Sequence, residues 1–121
     1  MRVAVFGPGI YKREPYDNYD YVERVLDEVA ARIAISKVHT GGGKGVEQLA
    51  LRWAALRGID PDVTPPNVKR DGENAFVIRN KEILEVAELV VLMWDTADAK
   101  YAKMLKDCAA RNLPVMLYGV E

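Results

Sequence analysis

Between Thr40 and Gly45 the chain reads Thr-Gly-Gly-Gly-Lys-Gly, and Glu47 follows two residues later. Gly41, Gly42 and Gly43 would let the backbone approach an anion without a Cβ in the way. A helix opening at Gly45 would add unpaired N–H groups and the positive end of its dipole, and Lys44 a charge-assisted contact. The chemistry suited to this pattern is the holding of a phosphate. A tight turn without a ligand is the competing reading, because short glycine motifs have many false positives.

Two sharper motifs fail on spacing. A Walker A loop needs a glycine five residues before its Gly-Lys pair, and the residue five before Gly43 is Val38, while Gly45 takes the place of the required Ser or Thr. The dinucleotide fingerprint Gly-x-Gly-x-x-Gly fails after Gly9, where Lys12 occupies the last position, and after Gly45, where Gln48 does. ATP hydrolysis of the P-loop kind and ordinary NAD-dependent hydride transfer are therefore not expected.

Other residues could complete a site. Gly7-Pro8-Gly9 and Trp94-Asp95-Thr96 each follow an apolar run, which in an open α/β sheet places them at the ligand-binding edge. Arg79 and Asn80 fall beside or within an apolar helical stripe, where an unpaired polar group costs on the order of 1–3 kcal/mol. They either clamp a ligand or tie neighbouring turns together. Glu47 and Asp95 are the candidate carboxylates, with Glu47 also suited to a helix's first turn by the dipole alone. His39 has no Ser, Cys or Asp positioned by sequence to form a triad and reads as a structural histidine. Cys108 sits in an apolar stripe and reads as a buried thiol. No metal-ligand cluster and no cofactor are expected.

These residues need elements to carry them. Val3-Ala4-Val5-Phe6 reads as a buried strand closed by Gly7. Asp20 with Glu23 reads as a capping box opening a helix through Val22, Val25, Leu26, Val29 and Ile33. Val38 closes a short second strand, and the helix after the glycine turn carries Val46, Leu49, Ala50 and Trp53 until Gly58 stops it. A third strand lies around Val63, before Pro65-Pro66. Glu73 to Ala87 reads as a helix with Phe76, Asn80, Ile83 and Ala87 facing inward. Leu89 to Met93 is the strongest strand, a helix follows from about Asp98 to Arg111, and Val115 to Tyr118 closes the chain. This alternation predicts an α/β fold with a parallel sheet and helices on both faces; the expected form is a Rossmann-like three-layer sandwich of five strands in the order 3-2-1-4-5.

Length and charge narrow the classes. At 121 residues the chain suits one domain over 1–121. With 17 basic and 18 acidic residues the formal net charge is -1, so nucleic-acid binding is not expected. No apolar run is long enough for a membrane span or a secretory signal, and a cytosolic protein is expected. The tyrosine-rich stretch from Tyr11 to Tyr19 reads as either a lid or a contact in a homo-oligomer.

Taken together, His39-Thr40-Gly41-Gly42-Gly43-Lys44-Gly45-Val46-Glu47, Arg52-Trp53-Ala54 and Ala75 through Ile78-Arg79-Asn80 resemble the YspA-like, cpYpsA-related branch of the SLOG superfamily, which is similar in fold to DprA and LOG proteins. The resemblance implies that Gly41 to Gly45 and Lys44 meet the phosphate of a small nucleotide or nucleotide-derived ligand, and that Arg79 and Asn80 complete the pocket. LOG proteins that cleave nucleoside monophosphates carry a second glycine loop, Pro-Gly-Gly-x-Gly-Thr-x-x-Glu. Here Trp94-Asp95-Thr96-Ala97-Asp98-Ala99 stands in its place, leaving Asp95 and Thr96 as the polar candidates. Binding is thus the leading expectation. The alternatives are hydrolysis or transfer at an N-glycosidic bond, with Glu47 or Asp95 as the carboxylate, and, further off, single-stranded DNA binding.

Overall fold

The computed structural model describes residues 1–9, 18–94 and 100–119, with side chains except at 94 and 100. Its strands are β1 (Arg2–Phe6), β2 (Lys37–Thr40), β3 (Asp60–Val63), β4 (Leu89–Trp94) and β5 (Val115–Gly119). The helices are α1 (Tyr19–Arg32), α2 (Val46–Leu56), α3 (Val68–Asp71), α4 (Ala75–Val86) and α5 (Lys100–Ala110), with a 3-10 turn at Gly72–Asn74 before α4. The five strands form one parallel sheet in the order β3-β2-β1-β4-β5, as expected.

The apolar runs explain which strands lie inside. β1 pairs with β2 on one side and β4 on the other, and Val3 to Phe6 are buried along its length. Alternate residues of each strand face opposite sides of the sheet. Val3, Val5, Val38, Val91 and Met93 therefore meet α1 and α2, which contribute Val22, Leu26, Val46 and Trp53. Ala4, Phe6, Val90 and Leu92 meet α4 and α5 through Ile83, Leu84, Tyr101, Met104 and Cys108. Cys108 is buried, and that burial pushes its thiol above the usual value. At the sheet edge β3 carries Pro61 and is largely exposed, as suits a strand with one unpaired side.

Two helix ends show the local code. After α2, Gly58 takes φ +67° and donates to Ala55, while Ile59 N–H donates to Ala54, the paired bonds of a Schellman cap. After α5, Asn112 takes φ 55° with the same two bonds, to Ala109 and, from Leu113, to Cys108.

Several boundaries differ from the sequence expectation. α1 begins at Tyr19 with Asn18 as its cap, whose Oδ1 accepts from Asp20 N–H at 2.9 Å. Asn is as strong a cap as Asp, and a start at Tyr19 brings Tyr19 and Tyr21 into the helix, where both pack against the core. β2 runs on past Val38 to Thr40, because His39 and Thr40 find register partners in β3. The helix expected from Glu73 starts at Ala75, after Gly72 turns the chain at φ +58°. Its inward stripe is also rotated: Ala75, Arg79 and Ile83, four residues apart, are buried, and Phe76 is 56% exposed. Hydropathy places phenylalanine inside and arginine outside. That order is reversed here because Arg79 has a backbone acceptor beneath it. Among the described residues no helix is long and apolar enough to cross a membrane.

Candidate functional site

The site begins where β1 and β2 end. Gly7 follows β1 directly, and a Cβ there would lie 2.6 Å from the side chain of Val46 at the start of α2. Gly45 caps α2 with φ +87°, and its Cα packs against the backbone of Pro8 and Gly9 so closely that a Cβ would come within 2.7 Å of Gly9 Cα. Val46 N–H donates to the Pro8 carbonyl at 3.2 Å. The loops Gly7-Pro8-Gly9 and Gly41 to Gly45 are thus joined backbone to backbone, a contact that only glycine permits at both points.

Within the second loop each bond has a nameable source. Thr40, fully buried, accepts Gly42 N–H on its Oγ1 at 3.1 Å, an arrangement its short hydroxyl makes locally. Gly42 takes φ +73°, and its Cα faces Val63 of β3. Glu47, in the first turn of α2, reaches back so that Oε1 accepts Gly41 N–H at 2.8 Å. A Cβ on Gly43 would lie 3.4 Å from the other oxygen. Lys44 is exposed at the loop's tip. Among the described residues nothing accepts from Glu47 or Gln48 N–H, and Gly45 offers no side-chain cap. Among the described residues the positive end of α2 is therefore open beside Lys44.

Arg79 reaches this loop from α4. It is 8% exposed, its Nη1 donates to the Gly41 carbonyl at 3.3 Å, and its Nε donates to Asn80 Oδ1 at 2.8 Å. Its guanidinium occupies the space a Cβ on Gly41 would fill, and its Cζ stands 5.3 Å from the Phe76 ring centroid. Gly41 therefore gives its N–H to Glu47 and its carbonyl to Arg79, so a carboxylate and a guanidinium meet at one glycine.

The structure thus assembles Gly7, Pro8, Gly9, Thr40 to Gly45, Glu47, Arg79 and Asn80 at one edge of the sheet. Asp95 and Thr96 lie outside the described residues, as do residues 11–17 of the tyrosine-rich stretch. Sequence reasoning missed Asp62 and Val63. His39 is 2% exposed, and its Nδ1 lies 3.0 Å from Asp62 Oδ2, out of line for a hydrogen bond. The parallel register that sets His39 beside Asp62 joins residues of two strands, a pairing that periodicity within one segment does not reveal. Burial pushes the imidazole below its ordinary value, with Asp62 opposing.

A parallel sheet whose order reverses beside β1, with glycine loops at its carboxyl edge, defines a Rossmann-like α/β protein whose glycine loops lie at the topological switch point. A family model, the YspA, cpYpsA-related SLOG family, matches residues 1–70, more than half of the chain. The chain belongs to the YspA, cpYpsA-related SLOG family. Among solved structures it is similar to the X-ray structure of TM1055, a structural-genomics target. That match has a TM-score of 0.69 at 20% identity and covers 94% of this chain and 71% of that one. It supports the fold alone. Among curated proteins none matches the chain.

Proposed function

We propose that this protein binds a nucleotide or a nucleotide-derived ligand through its phosphate, at the open end of α2. Family membership and the Rossmann-like neighbour fit a nucleotide-related function. The observation that carries the finer reading is the joined pair of loops. Val46 bonds to Pro8, Gly45 lies on Gly9, and the N–H groups of Glu47 and Gln48 remain open beside Lys44.

Glu47 sets the side from which the phosphate comes. Its carboxylate lies against Gly41 and Gly43, and a like charge brought there would be repelled. The phosphate position this leaves is toward Lys44 and the Gly7-Pro8-Gly9 loop, with Arg79 and Asn80 holding the loop's shape from behind. Asn80 Nδ2 is the further donor for a ribose or phosphate oxygen. Because Glu47 Oε1 is committed to Gly41 N–H, the carboxylate is a loop brace, which favours holding a ligand over cutting an N-glycosidic bond.

Isothermal titration of the protein with AMP, ADP, ADP-ribose and NAD tests this. At least one should bind, and Lys44→Ala should weaken it about tenfold or more, the size of a charge-assisted contact. Absence of binding across the set, or equal affinity for Lys44→Ala, would refute the reading. Chromatography of the same mixtures should show no free base; its release would favour the enzyme alternative.

A further inference from the structure

The helices on the two faces of the sheet pack differently. α1 and α2 approach closely, whereas the backbones of α4 and α5 stand further apart, with a groove of about 510 Å3 between them. Its floor is apolar and buried: Leu84, Tyr101 and Met104. Phe76 and Val77 wall it and are 56% and 47% exposed. This is the groove that the rotation of α4 creates, since Arg79 turned inward puts Phe76 outward.

The groove's charge has one sign. Among the described residues Lys81, Lys103 and Lys106 line it, with Asp107 as the one acid. Asp107 is already neutralised, since Arg111 Nε donates to its Oδ1 at 3.0 Å. Among the described residues none of the three lysines meets a carboxylate. An apolar trough edged by unpaired ammonium groups is complementary to a molecule with an apolar body and an anionic head.

We infer that the α4–α5 groove is a second binding site, for small amphipathic anions: an acyl or aryl body on Leu84, Tyr101 and Met104, with a carboxylate, sulfonate or phosphate at the lysine rim. The dimensions favour a small molecule over a protein. The volume falls within the roughly 300–1,000 Å3 of ligand pockets. The ten lining residues fall short of the about 20–30 per side of a stable protein interface. Phe76 to Leu84 spans eight residues of helix, about 12 Å at 1.5 Å per residue, a length that suits a medium acyl chain. The groove adjoins the phosphate loop: Asn80 lines it and accepts from Arg79, whose Nη1 is bound to Gly41.

Decanoate is the probe, titrated calorimetrically against the whole chain, with decan-1-ol as the uncharged molecule of equal length. Decanoate should bind one to one, and decan-1-ol at least tenfold more weakly. Lys81→Glu with Lys103→Glu should weaken decanoate binding tenfold or more, and Phe76→Asp should do the same. All three residues are exposed, so circular dichroism should stay unchanged. Lys69→Glu, a single charge reversal on exposed α3 away from the groove, should leave the affinity as it was. Equal binding of alcohol and acid would overturn the inference, as would full affinity in the charge-reversed variant. Binding of an acidic amphipathic peptide with none of decanoate would also overturn it, in favour of a protein partner.

Discussion

The guanidinium of Arg79 fills the place where any side chain but hydrogen on Gly41 would put its Cβ, and its Nη1 donates to the Gly41 carbonyl at 3.3 Å. The two residues are 38 apart in sequence, and each explains the other's type. Gly41 is glycine for space, since positive φ among the described glycines is confined to Gly42, Gly45, Gly58 and Gly72. Arg79 can be buried because Gly41 leaves it room and an acceptor.

Gly41→Ala should therefore destabilise the protein by about 1–3 kcal/mol, the scale of overpacking at a tight site. Arg79→Ala removes the group that the new methyl would strike. Urea denaturation of the two single variants and the double variant should show the double less destabilised than the sum. Simple additivity would mean that the two residues do not compete for one space.

Glu47 should separate by chemistry. Glu47→Gln retains an oxygen for Gly41 N–H and should hold the melting temperature near that of the parent. Glu47→Ala leaves that part-buried N–H without its acceptor and should cost about 1 kcal/mol. If the loop receives phosphate as proposed, Glu47→Gln should also tighten nucleotide binding by removing a like charge. Equal melting of the alanine and glutamine variants would count against the brace.

His39 supplies a pH dependence. Burial lowers its folded value below the ordinary 6.5, so the unfolded chain takes up its proton first as pH falls. Its contribution to stability is complete above about pH 6.5 and is lost as pH falls from there through the depressed folded value. Stability measured between pH 7.5 and 5 should fall in the parent and fall less in His39→Gln. Identical profiles would show that the buried ring does not govern this range. Asp62, half-exposed beside it, moderates the effect without reversing it.

How much of this was legible beforehand follows from what each residue depends on. The strands and the glycine loop could be read, because buried runs and turn glycines are properties of single segments. The inward side of α4 could not. Whether residue 76 or residue 79 faces the sheet depends on a carbonyl 38 residues upstream, and no helical period carries that information. The cap of α1 was misplaced by two residues because Asn18 and Asp20 are both good caps, and only the bond to Asp20 N–H decides between them. The role of Glu47 was hidden for a similar reason: an acid in a first helical turn looks the same whether it serves the dipole or a distant N–H.

On the opposite face, Trp53 is 1% exposed and donates Nε1–H to Asp27 Oδ1 at 2.8 Å, while Arg57 Nη2 reaches the other oxygen at 2.9 Å. The Trp53 bond first, then Arg57, holds the Asp27 carboxyl below its usual value. Asp27→Ala should cost about 1–2 kcal/mol, chiefly by stranding the indole N–H. Glu23→Ala, which removes a half-exposed partner of Arg57 and leaves the indole bond in place, should cost less. In the parent the Asp27 contribution is present above the ordinary carboxylate range and is lost as pH falls through the lowered value. Equal losses in the two variants, by urea denaturation, would remove the indole from the account.

The unequal packing of the two faces gives the molecule a grain. α1 and α2 are sewn together by Asp27, Trp53 and Arg57, while α4 and α5 are held through the apolar cluster of Ile83, Leu84, Tyr101 and Met104 on the sheet, with their backbones further apart. In native-state hydrogen exchange the amides of α4 and α5 should give up their protons well before those of α1 and α2. Arg79 rides on the looser side and Glu47 on the firmer one, so Gly41 sits where a stiff half of the protein meets a yielding half, and any molecule that settles at the loop presses on both.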